Sequence, residues 1–142
     1  MSKQIVIATH ANLAEGFKAA LNFIYKPQEE IHTICAFTEV ADPGKVFEEL
    51  FDSFPEEDTV VVLTDLVGGS VNKLIAEKLR DRKFFLISGI NLAMLLEIAC
   101  CNELELNEDL IRRTVALGKE SLVFINDELN EVTESPNEDL FL

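Results

Sequence analysis

The chain has 142 residues, a length that fits one domain, and its 48% hydrophobic and 27% charged residues are typical of a globular protein rather than a disordered or fibrous one. Its 26 acidic and 12 basic residues give a formal net charge of −14, which argues against binding to nucleic acid or anionic membranes and favours a basic protein partner. The three cysteines, Cys35, Cys100 and Cys101, lack the spacing of a metal site, so we expect buried thiols. The first apolar run is too short for a signal sequence or a membrane span, so we expect a cytoplasmic protein.

The first part of the chain alternates patterns typical of strands and helices. Residues 5–8 form a short apolar run rich in β-branched residues, which predicts a strand buried on both faces. From Asn12, apolar side chains recur at three- and four-residue spacing, which predicts an amphipathic helix that ends before Pro27. Residues 31–37 predict a second strand, and the helix after it has Asp42 as its N-cap and a proline in its first turn.

The middle of the chain predicts two more strands. Residues 59–64 have no polar face, so they predict a strand in the centre of a sheet. Ser70 has the chemistry of a helix N-cap, and the helix that it begins extends to about Arg82. Residues 84–88 predict the fourth strand, and Asn91 is predicted to cap the helix that follows it.

The C-terminal part predicts a helix, a short strand and an acidic tail. The last helix is predicted to stop at Gly118, and residues 122–125 predict the strand. Residues 127–142 contain six acidic residues and no basic one, and we expect this tail to be mobile apart from docking by residues 140–142. The chain is therefore predicted to be a single domain over residues 1–126 followed by the tail.

Strands that alternate with helices predict an α/β fold, with helices on both faces of a mainly parallel sheet. The expected fold class is an open, doubly wound three-layer sandwich with strand order 2-1-3-4, to which the short C-terminal strand adds. In such a sheet the ligand crevice lies beyond the C-terminal ends of the strands, where strand order reverses, here between the first and third strands. His10 and Asp65 come directly after those two strands, so both are expected to face the crevice.

His10 and Asp65 are residue types suited to nucleophilic chemistry. A carboxylate on one ring nitrogen fixes the tautomer, leaves the lone pair of the other nitrogen facing out, and stabilises the positive charge that develops on attack. Gly68, Gly69 and Ser70 lead into a helix N-terminus, whose free N–H groups favour an anion. Together these residues suggest phosphoryl transfer onto His10, catalysed by positioning and electrostatics.

The same residues also have simpler interpretations. A lone histidine at a strand end is often a solvated polar residue, Asp65 can be a turn or capping residue, and Gly-Gly-Ser is common in loops. His32 lies within an apolar strand pattern and is interpreted as structural. The sequence has neither a P-loop nor a GxGxxG motif, so a phosphoryl group is expected to come from another protein.

Three segments resemble the enzyme IIA components of mannose-type sugar phosphotransferase systems, in the same order and with matching spacing. They are residues 5–10 (IVIATH), residues 60–72 (VVVLTDLVGGSVN) and residues 88–95 (SGINLAML). The resemblance implies a phosphotransferase in which His10 accepts a phosphoryl group from the histidine-containing phosphocarrier protein. It also implies that His10 passes this group to an enzyme IIB component during sugar uptake.

The resemblance assigns roles to the other candidate residues as well. Asp65 matches the carboxylate that orients the histidine, and Ser70 with the backbone of Gly68 and Gly69 matches the phosphate-binding loop. The family suggests a homodimer in which a C-terminal strand crosses to the partner, a role for residues 122–125. Neither a metal nor an organic cofactor is expected.

The sequence departs from the family at three positions. Ala11 stands where the family usually has glycine, and Val71 and Ala93 stand where it favours proline. These residues have ordinary backbone preferences, so the departures put the shapes of the loops and the choice of partner in question, while the reacting groups are retained.

Two other functions stay open at this point. A related phosphocarrier subunit that serves dihydroxyacetone kinase uses an equivalent histidine, and a non-catalytic regulatory module on the same fold would hold an anion at His10 without covalent chemistry. The transported sugar cannot be read from this chain, because in such systems the membrane subunits select it.

Overall fold

The structure is a computed structural model, and it describes residues 2–38 and 42–132. In chain order, the strands and helices of the described residues are β1 (Lys3–His10), α1 (Leu13–Ile24), β2 (Ile31–Ala36), α2 (Pro43–Asp52), β3 (Thr59–Thr64), α3 (Ser70–Ala76), β4 (Phe85–Ser88), α4 (Leu92–Cys100), α5 (Glu108–Glu120) and α6 (Ile125–Val132). Short 3₁₀ turns follow α3 at Glu77–Arg80 and precede α5 at Glu103–Glu105.

The four strands form one parallel sheet in the order β2-β1-β3-β4, which confirms the predicted fold class. β1 and β3 are neighbours, and their register pairs Ala8 with Thr64. The residues that follow these two strands therefore lie side by side at the C-terminal edge of the sheet.

Helices cover both faces of the sheet, because alternate residues of its central strands point to opposite sides. Ile5 and Ile7 of β1 are buried in one cluster with side chains of α1, α4 and α5. Val6 and Ala8 are buried in a second cluster with side chains of α2 and α3. Each large aliphatic side chain buried in this way contributes about 1.5–3 kcal/mol. The result is the predicted three-layer sandwich.

Lys3, at the start of β1, is only 2% exposed although it is a charged residue. Its ammonium donates hydrogen bonds to the carbonyls of Ile98, at 3.1 Å, and Ala99, at 2.7 Å, and also to the carbonyl of Cys101. These carbonyls lie at the end of α4, where they have no partner within the helix and where a positive charge is favourable. Lys3 therefore caps α4 and ties it to the sheet.

Asn91 caps α4 as predicted, since its side-chain oxygen accepts the N–H of Met94 at 3.0 Å. The prediction that the last helix stops at Gly118 is wrong, because α5 continues to Glu120. A Cβ atom at Gly118 would lie 3.2 Å from Asn91 Nδ2 and 3.5 Å from Met94 Cβ, and Asn91 Nδ2 donates to the Gly118 carbonyl at 3.0 Å. This glycine allows α5 to pack closely on α4.

The strand predicted over residues 122–125 does not form in the single chain. Residues 122–124 have no regular secondary structure, and α6 begins at Ile125. The acidic residues Asp127 and Glu128 fall in the first turn of α6, where negative charge stabilises a helix. The first six residues of the predicted acidic tail thus belong to a helix. Residues 133–142, with the predicted docking segment, lie outside the described residues.

The three cysteines are free thiols. Cys35 and Cys101 are partly buried, whereas Cys100 is exposed, so the prediction of buried thiols is wrong for that residue. Burial raises the pKa of the Cys101 thiol. No helix within the described residues is long and apolar enough to cross a membrane.

Candidate functional site

The C-terminal ends of β1 and β3 bring His10 and Asp65 together. His10 is the last residue of β1, and Asp65 directly follows β3. The Nδ1 atom of His10 lies 2.9 Å from Oδ2 of Asp65, and the same oxygen accepts the backbone N–H of His10 at 3.0 Å. The order of the strands therefore produces the proximity that the sequence predicts.

Hydrogen bonds hold Asp65 in its charged form. Its side chain is 10% exposed, and its second oxygen, Oδ1, accepts the N–H of Leu66 at 3.0 Å. Burial alone raises the pKa of Asp65, but the hydrogen bonds from the backbone and ring of His10 outweigh it, so the pKa lies below its ordinary value of 3.8. An ionised carboxylate only accepts hydrogen bonds. Nδ1 of His10 therefore carries a proton, and in the neutral imidazole Nε2 has the lone pair.

Ser70 lies on the other side of the imidazole. Its hydroxyl oxygen is 3.2 Å from Nε2 of His10, so the hydroxyl can donate to the lone pair. Ser70 is the first residue of α3 rather than its N-cap, a position that Gly69 occupies without a side-chain hydrogen bond. The predicted capping role of Ser70 is wrong by one position, because its hydroxyl is directed at His10.

Gly68 and Gly69 form the turn between β3 and α3. Gly68 has a φ of +74°, a conformation that favours glycine. The N–H of Gly69 donates to the carbonyl of Leu66 at 3.2 Å and closes the turn. A Cβ atom at position 69 would lie 3.3 Å from Cε1 of His10. Because glycine lacks that atom, the backbone at the start of α3 approaches the imidazole closely. The first N–H groups of a helix have no acceptor within the helix, so they are available at this place.

Two residues beside His10 have a strained backbone that sequence reasoning did not foresee. Ala11 has a φ of +49° and Phe37 a φ of +64°, and the N–H of Ala11 donates to the carbonyl of Ala36 at 2.9 Å. The ring of Phe37 lies 5.8 Å from the imidazole of His10, between centroids. For Ala11, the glycine that the family usually has at this position was a signal, since glycine adopts a positive φ without strain. For Phe37 the sequence carried none.

The other two departures from the family lie in helices. Val71 is the second residue of α3 and is fully buried, and Ala93 is the second residue of α4. Proline is favoured in the first turn of a helix but is not required there. Without proline, α4 begins directly after its predicted cap Asn91, and α3 begins one residue earlier than predicted, at Ser70.

His32 is separate from this site. It pairs with Val6 on β1, four residues before His10 and therefore about 13 Å away along the strand. Its Nε2 lies 3.1 Å from the side-chain oxygen of Gln4, and its ring packs on Phe54. Burial lowers the pKa of His32. These contacts are consistent with the predicted structural role.

Known proteins are similar to this chain in sequence and in fold. The profile of the family described as PTS system fructose IIA component, where PTS is the sugar phosphotransferase system, matches residues 4–115. A structure from Klebsiella pneumoniae subsp. pneumoniae MGH 78578, named as a candidate phosphoenolpyruvate-dependent PTS permease, is 31% identical with a TM-score of 0.82, covering 91% of this chain and 95% of that one.

Two further structures are PTS components. EIIA from Streptococcus agalactiae is 26% identical with a TM-score of 0.72, covering 88% of this chain and 98% of that one. The mannose/sorbose-specific IIA subunit from Enterococcus faecalis is 18% identical with a TM-score of 0.71, covering 87% and 95%, and supports the fold alone. The family match and the Klebsiella structure together show that the chain belongs to the IIA components of sugar phosphotransferase systems, a family of phosphotransferases that act in sugar uptake.

Proposed function

We propose that this protein is a phosphocarrier that accepts a phosphoryl group on Nε2 of His10 from the histidine-containing phosphocarrier protein and passes it to an enzyme IIB component. The observation that carries this proposal is the 2.9 Å contact between Nδ1 of His10 and the ionised Asp65, which leaves Nε2 as the nucleophile. Proteins of this family generally work with phosphocarrier and IIB components, which supports the choice of partners.

In the proposed transfer, the lone pair on Nε2 attacks the phosphorus atom of the donor's phosphohistidine. The bond between Nε2 and phosphorus forms as the donor's nitrogen–phosphorus bond breaks, and that electron pair returns to the donor's imidazole. The ring of His10 keeps its proton on Nδ1 and becomes positively charged. Asp65 stabilises this charge through the hydrogen bond that it already makes. Transfer to the acceptor repeats the exchange with His10 as the donor.

The turn before α3 is the proposed phosphate site. The hydroxyl of Ser70, 3.2 Å from Nε2, turns from the lone pair to an oxygen of the phosphoryl group once that group is attached. The backbone N–H groups that follow Gly68 and Gly69 donate to the other oxygens, as helix N-termini do for anions. The proposed chemistry uses no metal or organic cofactor.

We also propose that the protein works in the cytoplasm as a homodimer. β4 is an edge strand, which leaves one row of its backbone groups available for pairing. The segment after α5 is apolar, and its Leu122, which is 88% exposed, lines a cavity together with Ile87 and Ser88 of β4. Residues 122–124 have no regular secondary structure in the single chain, and they are the proposed segment that crosses to the partner.

Labelling tests the proposed site directly. The protein is incubated with radioactive phosphoenolpyruvate, enzyme I and the phosphocarrier protein, alongside His10→Ala and the matched control His32→Gln. We expect an acid-labile, base-stable label on the wild type and on the control, and none on His10→Ala. An unlabelled wild type would favour the anion-binding module, and a labelled His10→Ala would move the reaction to another residue.

The acceptor is tested separately. Labelled protein, freed from the phosphocarrier protein, is mixed with an enzyme IIB component or with the subunits of a dihydroxyacetone kinase. Loss of label to the IIB component supports the proposed role in sugar uptake. Loss of label to the kinase subunits alone would assign the protein to the alternative system.

A further inference from the structure

Phe37 combines a strained backbone with an exposed aromatic side chain. It directly follows β2 and has a φ of +64°, which is an outlier for a bulky residue. Its side chain is 56% exposed, so burial in the core does not offset the strain. What this conformation achieves is local: the ring lies 5.8 Å from the imidazole of His10, at an angle of 38° between the two planes.

The contact matters most when the imidazole is charged. A cation within about 6 Å of an aromatic ring is attracted by its π electrons, and a neutral imidazole lacks this attraction. In the proposed function, the ring of His10 is neutral before phosphoryl transfer and positively charged after it. Phe37 therefore interacts more strongly with the phosphorylated state than with the free protein.

We propose that Phe37 is a positioning residue that holds the imidazole of His10 and stabilises the positive charge of its phosphorylated form. This role rests on the proposed function. Asp65 fixes the ring at Nδ1, the backbone of Gly69 approaches Cε1, and Phe37 packs against the ring itself. The consequence is a larger fraction of phosphorylated protein at equilibrium with its donor.

The test is the equilibrium constant for phosphoryl transfer between the phosphocarrier protein and this protein. We expect Phe37→Leu to lower the constant about two- to five-fold, and Phe37→Tyr, which keeps the aromatic face, to retain it. Phe23→Leu is the matched control, because Phe23 is 92% exposed on α1 and has no ring contact with His10 in the described structure. An unchanged constant in Phe37→Leu would overturn the proposal.

The equilibrium constant is the decisive measurement, because it distinguishes a role in positioning His10 from a role in contacting a partner protein. If the exposed ring only contacted a partner protein, Phe37→Leu would slow transfer in both directions and leave the constant unchanged. That result would refute the positioning role. Failure of the proposed function is a distinct outcome, because the wild type itself would then carry no label on His10.

A second variant separates the role of the ring from folding. Glycine adopts a positive φ without strain, so Phe37→Gly relaxes the backbone while it removes the ring. We expect an equal or higher midpoint of thermal unfolding together with a lower transfer constant. A lower midpoint with an unchanged constant would show that Phe37 serves the fold alone.

Discussion

Replacing Asp65 with asparagine preserves the shape of the side chain and removes its charge. In the wild type, Oδ2 accepts hydrogen bonds from the backbone N–H of His10 at 3.0 Å and from Nδ1 at 2.9 Å. A hydrogen bond to a charged group contributes about 1.5–3 kcal/mol, and the bond to Nδ1 strengthens as the ring becomes positive. If that contribution is lost in the transition state, the rate of phosphorylation of His10 falls about 10- to 150-fold.

The rate is measured in single-turnover reactions with the phosphorylated phosphocarrier protein. Asp58→Asn is the matched control, because its carboxylate binds the backbone N–H of Ser2 and the side chain of Gln4, away from His10. We expect this control to react at the wild-type rate. Wild-type rates in Asp65→Asn would remove Asp65 from the mechanism, and equal losses in both variants would indicate a general effect of charge.

The lowered pKa of Asp65 also makes stability depend on pH. Because the folded pKa lies below 3.8, the carboxylate contributes its full stabilisation above this value and loses it as the pH falls through the folded pKa. Asp65→Asn has no such titration. The difference in free energy of unfolding between the two proteins is therefore expected to be smaller at a pH of about 3 than at a pH of about 7, as measured by urea denaturation. A constant difference would contradict this reasoning.

Three further substitutions test the structure. Gly69→Ala is expected to slow labelling about ten-fold, because the added Cβ would lie 3.3 Å from Cε1 of His10. The control Gly16→Ala adds a Cβ with no atom within 4 Å and is expected to leave labelling unchanged. Equal labelling rates in the two variants would contradict this prediction. Ala11→Gly is expected to raise the free energy of unfolding by about 1 kcal/mol in urea denaturation, because it relieves a φ of +49°, and a decrease would argue against strain. Lys3→Met is expected to lower the free energy of unfolding by about 1–3 kcal/mol, because carbonyls at the end of α4 lose their donor. An unchanged urea midpoint would show that this cap is dispensable.

The sequence was sufficient to predict the features that depend on local pattern and on the topology of the sheet. The apolar run before His10 and the one before Asp65 identify two buried parallel strands. The usual strand order makes these strands neighbours, so the two side chains meet although 55 positions separate them. Asn91 was equally predictable, because an N-cap acts within one turn of its helix.

Partners distant in the sequence decided the features that were not predicted. Ser70 was expected both to cap α3 and to belong to the phosphate-binding loop, and its hydroxyl faces His10 instead of capping the helix. Gly118 looks like the end of a helix, but contact with Asn91 and Met94 explains it. The apolar residues 122–125 fit a strand or the start of a helix equally well, since a short run carries no distinguishing period. The positive φ of Phe37 has no local signal at all.

The most direct test of the proposed phosphocarrier is the identity of the nitrogen that carries phosphorus. NMR spectra of the phosphorylated protein, with ¹⁵N-labelled histidine, distinguish the two ring nitrogens of His10 from each other and from those of His32. We expect phosphorus on Nε2 of His10, with a proton retained on Nδ1 beside Asp65. Phosphorus on Nδ1 of His10, or on another residue, would contradict the account.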